Sequence, residues 1–232
     1  MPILEATGLR KVYRGGDGSP IDVLTGADLG VARGEFVAIV GASGAGKSTL
    51  LHLLGALDRP TRGRITIAGE QIEQRSDDEL SVLRNRRVGF VFQFHHLLRE
   101  FSALENVVMP LRIAGWDSKR ARGRAEELLS RVGLAGRMSH RPSELSGGEQ
   151  QRTAVARALA IDPAIVLADE PSGNLDHANS SRLHDLFVEL SRDLEIAMVV
   201  VTHNRSLALR ADRALLLEDG RLTDTGVREV LA

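Results

Sequence analysis

The 232-residue chain contains no cysteine. That excludes a disulfide framework and any thiolate-ligated metal, and it fits a reducing compartment. An excess of charge of one sign is also missing. Thirty Lys and Arg face 31 Asp and Glu, for a formal net charge of −1. No overall field draws such a molecule onto nucleic acid or an anionic membrane, so nucleic acid is not an expected partner. Long apolar runs are absent as well. "FVAIV", "IVLA" and "AMVVV" have strand length, well below the roughly 18 residues of a membrane span. Direct membrane insertion is therefore not expected, and a membrane role would come through a partner. The first residues, "MPILEATGLRKVY", have no long apolar stretch behind a basic start, so no signal peptide is expected. There is no repeat with a period of about 20–50 residues and no low-complexity tract.

What the chain does have is 43% hydrophobic residues, enough for one large domain or a core with a subdomain inserted. Its first part reads as β-rich. "ILEATGLRKVY" and "VLTGADLGVA" are strand-like, broken by the turn cluster "RGGDGSP". "GEFVAIVGASGAGKSTLLHLLGAL" is an apolar strand, a glycine loop and a helix. "GRITIAGEQI" reads as a short hairpin and "RVGFVFQF" as a strand. From about 95 to 160 the pattern becomes helical, with "KRARGRAEELLSRVGL" and "GGEQQRTAVARALAI" amphipathic, the second stopped by Asp162-Pro163. "AIVLADE" and "AMVVVTHN" return to strand, separated by the helix "SSRLHDLFVELSRD". "ALLLEDGRL" closes with a strand and hairpin. This alternation predicts an α/β fold with a mainly parallel core sheet, an N-terminal antiparallel β subdomain and an inserted helical lobe.

The stretch "GASGAGKST" (Gly41, Ala42, Ser43, Gly44, Ala45, Gly46, Lys47, Ser48, Thr49) matches G-x-x-x-x-G-K-[ST] between a strand and a helix. Its glycines let several backbone N–H groups point at phosphate oxygens, and the helix N-terminus adds partial positive charge. Lys47 is expected on the β and γ phosphates and the Ser48 hydroxyl on Mg²⁺. In such a sheet ligands gather at the carboxyl ends of the strands. Asp169, ending "AIVLAD", is then placed to hold Mg²⁺. Glu170 points elsewhere. Alone it is either a general base for an attacking water or a carboxylate that caps a helix or pairs with an arginine.

"LSGGEQQR" (145–152), together with the phosphate loop and "VLADEP", resembles the ATP-binding cassette (ABC) ATPases, the motor subunits of ABC transporters. The resemblance runs over essentially the whole chain. It implies a P-loop NTPase of the ABC type, one nucleotide-binding domain over 1–232, with a helical signature subdomain at approximately 95–160. It also implies ATP and Mg²⁺ as bound species. Tyr13 resembles the aromatic that stacks on adenine, although by itself it is an ordinary strand aromatic. Gln93 resembles the glutamine that reaches Mg²⁺ and water. His203 resembles the histidine that contacts the γ-phosphate and holds the catalytic glutamate, Glu170. "SGNLD", ending at Asp176, resembles the loop that crosses to a second subunit. Ser146, Gly147 and Gly148, with Glu149, open a helix whose exposed N–H groups make a second anion site. The family places two copies head to tail, each signature covering the other's ATP, so a homodimer with ATP at its interface is implied.

After Gln93, "FQFHHLLREFSALENVVMPL" resembles the lipoprotein-releasing branch, as do "LLHLLGALDRPT" and "HRPSELSGGE". That implies an ATPase peripheral to the cytoplasmic face of the inner membrane, bound to integral permease subunits near Phe94–Leu104. Macrolide-efflux ATPases and the division-linked ATPase share the architecture and remain alternatives. Phe94, Leu97, Leu98, Phe101 and Leu104 either form a groove for a partner helix or fill the lobe's own core. His95 and His96 lack a third metal ligand at suitable spacing. Three departures from many relatives stand out: Arg99 for proline, Ser172 for threonine, and Asn204 for aspartate, the last removing a charge beside His203. Two other ABC classes are disfavoured. A chromosome or repair ATPase needs long heptad arms, and a two-cassette translation ATPase needs a second phosphate loop.

Overall fold

The structure, a computed structural model, describes residues 2–224. Within them the strands are β1 (Leu4–Arg14), β2 (Pro20–Val31), β3 (Phe36–Val40), β4 (Arg62–Ile67), β5 (Glu70–Gln71), β6 (Val88–Phe92), β7 (Ile165–Asp169), β8 (Ala197–Val201), β9 (Arg213–Glu218) and β10 (Arg221–Asp224). The α-helices are α1 (Lys47–Leu54), α2 (Asp77–Arg87), α3 (Ala103–Ile113), α4 (Ser118–Arg131), α5 (Gly147–Ala158), α6 (His177–Leu194) and α7 (Arg205–Ala208).

Strands β10-β9-β3-β8-β7-β6 form one sheet, parallel throughout except for the β9–β10 hairpin. Strands β2-β1-β4-β5 form a second, antiparallel sheet. Every residue of β3 and β8 is buried. Their unbroken apolar runs follow from cover on both faces. With side chains alternating along a strand, Val37 and Ile39 join a core with α1 and the antiparallel sheet. Ala38 and Val40 face the opposite core, shared with α3, α4, α5 and α6. The helices of the 95–160 stretch thus pack onto one face of the parallel sheet.

One helix was not announced by apolar periodicity. In α2 only Leu80 and Leu83 are buried. The readable sign was the capping box, Ser76 with Glu79, whose bonds are both formed. A second difference concerns α5, which ends at Ala158, ahead of the predicted stop at Asp162-Pro163. Its C-terminal turn runs out as a chain of single turn bonds, and Asp162 is left-handed with φ of 52°.

Register decides where the chemistry sits. Asp169 lies opposite Phe92 on one side and Val201 on the other. Val201 in turn lies opposite Ile39. Gln93, Glu170 and Thr202, which come next, and Gly41, which follows Val40 at the end of β3, therefore leave the sheet at one edge, the carboxyl edge.

Candidate active site

The loop after β3 has glycine where a side chain has no room. A Cβ on Gly41 would come 2.5 Å from the Leu217 carbonyl oxygen. Gly46 has φ of 95° and a Cβ there would meet Val23 Cγ1 at 2.8 Å. Among the described α-helices, α1 alone has no side-chain cap and no acid in its first turn. Its leading N–H groups are spent on no carboxylate or hydroxyl, which suits a phosphate. The Lys47 ammonium lies over the loop mouth and donates to the carbonyls of Gly41 and Ala42, both at 2.9 Å. Ala42, Ser43 and Gly44 are exposed, while Ala45 and Thr49 are half-buried.

Tyr13 stands beside this loop. Its hydroxyl donates to Asp58 Oδ2 at 2.9 Å and also meets Thr49, and Lys11 Nζ sits 4.8 Å from the ring centroid. Burial and the Asp58 carboxylate raise the phenol's pKa, so it stays neutral. Lys11 also bonds Asp58 at 2.7 Å. Sequence reading passed over Lys11 and Asp58, which fix the ring in place. Nothing in their spacing announced the pairing, since 47 positions separate them.

The Asp169 carboxyl is pushed above the ordinary carboxylate range, chiefly by burial and further by Glu170. A hydrogen bond from Ser48 and the charges of His52 and Lys47 act in the opposite direction. A half-buried acid under strain from a neighbouring acid, bonded to a hydroxyl, has the donor set and the charge deficit that a hard dication relieves. Gln93 is turned to Asn174, its Nε2 donating to Asn174 Oδ1 at 3.0 Å while Asn174 Nδ2 returns to the Gln93 carbonyl at 3.2 Å. The strand beneath it is tied to α5 by the buried Gln151, whose amide donates to the Phe92 carbonyl at 3.2 Å. Asn174 and Gln151 were not singled out from sequence.

Glu170 continues the β7–β8 ladder through its N–H to the Val201 carbonyl, then turns sharply at φ of 42°. A non-glycine residue there is uncommon and costs on the order of 1 kcal/mol or more. The turn aims its carboxylate at the end of β8. Thr202 Oγ1 donates to Oε2 at 3.1 Å, the His203 N–H reaches Oε2 at 3.3 Å, and His203 Nδ1 lies 2.8 Å from Oε1. A carboxylate only accepts, so Nδ1 carries the proton. Of the two readings left open for Glu170, neither an arginine nor a helix N-terminus is its partner among these contacts. Asn204 does not orient the His203 ring. It caps α7, accepting from the N–H groups of Ser206 and Leu207 at 3.0 and 3.2 Å. The asparagine-for-aspartate difference thus bears on a cap rather than on the histidine.

The signature end of α5 offers fewer donors than its sequence promised. Ser146 and Glu149 close a capping box. The Glu149 carboxylate takes the Ser146 N–H and hydroxyl at 2.8 Å each and pairs with Arg137 at 3.1 Å. Gly147 is exposed, whereas Gly148 is buried with its missing Cβ 2.7 Å from Asn179 Oδ1. Asp176 caps α6, accepting from the Asn179 N–H at 2.9 Å and its side-chain amide at 2.6 Å. The signature and the 172–176 loop are therefore packed together through Asn179. The carboxylates of Glu149 and Asp176 are committed to caps.

Below β6, a groove of about 420 Å³ is lined by Leu57, Phe90, Leu98, Met109, Ile113 and Ile161 among others. Phe94, Ile113 and Leu98 are 67%, 68% and 41% exposed. Leu104 is not part of this surface; it is buried in the core, as its place on the inner face of α3 requires. His95 and His96 hold the segment by their carbonyls, which accept from Arg157 at 2.8 and 2.7 Å. Among the described residues no helix is long and apolar enough to cross a membrane.

Comparison with known proteins is consistent across sequence and structure. The family profile described as "ABC transporter" matches residues 24–173. The chain is 55% identical over 222 residues to the "Lipoprotein-releasing system ATP-binding protein LolD" of Xanthomonas campestris pv. campestris (strain 8004), covering 96% of this chain and 92% of the relative. The protein of the same description from Geobacter metallireducens is 52% identical over 220 residues, covering 95% and 97%. A dimeric structure of the ATP-binding cassette MJ0796 bound to ADP and Pi, in a post-hydrolysis state, superposes with a TM-score of 0.88 at 37% identity, over 97% of this chain and 99% of that one.

Proposed function

The chain belongs to the ABC transporter family, and on that premise we propose that it is the ATP-hydrolysing motor of a transporter that releases lipoproteins from the inner membrane. The observation that carries the reading is the convergence at one sheet edge of the phosphate loop, Asp169–Glu170 and Thr202–His203. The similarity to the lipoprotein-releasing ATPases over nearly the full chain supports the cargo class.

ATP lies with its phosphates along the N–H groups of Gly41–Thr49 and its adenine on the Tyr13 ring. Lys47 exchanges the Gly41 and Ala42 carbonyls for β- and γ-phosphate oxygens, a charge-assisted contact. The oxygens of Ser48 and Asp169, with the Gln93 amide, fit Mg²⁺. When bound, that ion offsets phosphate charge and polarises the γ-phosphoryl group. Glu170 accepts the proton of the attacking water, while His203 fixes the carboxylate through Nδ1 and offers Nε2 to the γ-phosphate. Ser146, Gly147 and Gly148 of a second copy cover the same ATP, so the nucleotide joins two chains until hydrolysis parts them. The dimeric MJ0796 cassettes support this arrangement. Glu149 and Asp176 serve it by holding the ends of α5 and α6. The exposed apolar residues Phe94, Leu98 and Ile113 receive the permease subunits, which hold the motor peripherally at the membrane.

The test is reconstitution. The chain, co-purified with its membrane subunits and placed in liposomes, is expected to release a bound lipoprotein to an acceptor only with ATP. Export of a macrolide instead, or no cargo at all, would redirect the reading to the efflux or division ATPases.

A further inference from the structure

Beneath the Glu170–His203 pair lies a histidine with no part in the chemistry just described. His184 points inward from α6 and has no exposed surface. Both ring nitrogens are engaged: Nε2 lies 3.0 Å from Ser172 Oγ and Nδ1 lies 3.2 Å from Ser206 Oγ. Ser172 belongs to the segment that leads from Glu170 to α6. Ser206 belongs to α7, just beyond His203. The imidazole therefore spans the two chain segments that leave β7 and β8.

The bonding continues beyond the ring. Ser206 N–H donates to Asn204 Oδ1 at 3.0 Å, Asn204 N–H to Thr202 Oγ1 at 3.0 Å, and Thr202 Oγ1 to Glu170 Oε2 at 3.1 Å. With His184 and Ser172 this makes a circuit that leaves Glu170 by its carboxylate and returns to the chain near its own backbone. A polar ring in a dry site costs stability unless both nitrogens are satisfied, and here the two hydroxyls satisfy them. The ring is neutral, with burial the main cause, Arg210 and His177 acting in the same direction and Asp185 against it. A neutral imidazole has one donor and one acceptor, so it gives the circuit a direction that an apolar side chain of equal volume cannot.

We propose that His184 is a positioning residue for hydrolysis: a buried strut between Ser172 and Ser206 that keeps the Glu170 carboxylate seated on His203. The proposal rests on Glu170 being the general base. Because the strut acts on catalytic geometry and not on the phosphate loop, its loss is read in kcat and leaves KM for ATP alone.

The full chain is assayed for phosphate release at saturating ATP, with thermal unfolding of each variant recorded alongside. His184→Leu is expected to lower kcat about tenfold with KM for ATP within about twofold. His184→Gln, whose amide both donates and accepts, is expected to recover at least about half of the parent kcat. Ser206→Ala, at an exposed position and so expected to fold, is expected to lower kcat about threefold alone and to add little to His184→Leu. A kcat within about twofold of the parent in His184→Leu, a loss that glutamine does not recover, or a matching rise in KM overturns the strut. If the leucine variant does not fold, Ser206→Ala decides by itself, and a kcat within about twofold overturns it. Glu170→Gln in the same assay separates the two levels. Parent-rate hydrolysis there removes the general base, and the strut's purpose with it. Abolished hydrolysis beside unaffected strut variants removes the strut alone.

Discussion

Glu170 Oε1 and His203 Nδ1 lie 2.8 Å apart, brought together by the ends of two neighbouring parallel strands. The left-handed backbone at Glu170 turns its carboxylate toward β8, while Asp169, one residue earlier, keeps to the sheet and the Ser48 hydroxyl. Two adjacent acids thus serve two ends of the site.

Glu170→Gln is therefore expected to keep ATP binding and lower hydrolysis by roughly 10²–10⁴-fold, the usual worth of a positioned base. The ATP-bound form should accumulate as a dimer. Phosphate release and gel filtration with ATP check both halves. A variant that hydrolyses at the parent rate refutes the base.

Lys47→Ala removes an ammonium held at the mouth of the phosphate loop. A charge-assisted bond contributes about 1.5–3 kcal/mol, so ATP affinity should fall roughly 10- to 150-fold. Titration with a fluorescent ATP analogue measures it, and unchanged affinity refutes the loop assignment.

His184 makes stability depend on pH in a definite direction. Its pKa is lowered from 6.5 to about 4, with burial the first cause. The unfolded chain therefore takes up the proton before the folded one does. Its stabilising contribution is intact above pH 6.5 and is lost as pH falls toward about 4, amounting to about 3 kcal/mol across that window. Chemical denaturation of the parent and of His184→Gln at several pH values tests this. On acidification through that window the parent should lose stability relative to His184→Gln, and parallel curves would rule it out.

Ile113→Asp alters the most exposed apolar position of the groove, 68% open to solvent. Folding and ATP binding should be unchanged, since the site replaced is on the surface. Co-purification with membrane subunits should be lost, because a charge would be desolvated under the partner. Undiminished recovery of the complex would move the docking surface elsewhere.

Much of this was written along the chain itself. The phosphate loop, the acids of β7 and the signature are contiguous, because backbone curvature, strand-end placement and helix starts are local matters of glycine, apolar runs and caps. Even α2, missed by periodicity, had its capping box spelled out at Ser76 and Glu79. The roles of the partners were not legible. Asp58 under Tyr13, Asn174 on Gln93, Thr202 under Glu170 and His184 between two serines are all separated from their targets by stretches of other structure. Local chemistry determined which residues carry the donor, acceptor and charge pattern of the proposed site. Only the parallel register, which sets Val201, Asp169 and Phe92 side by side, decided which of them meet, because strand pairing joins positions that sequence spacing keeps apart.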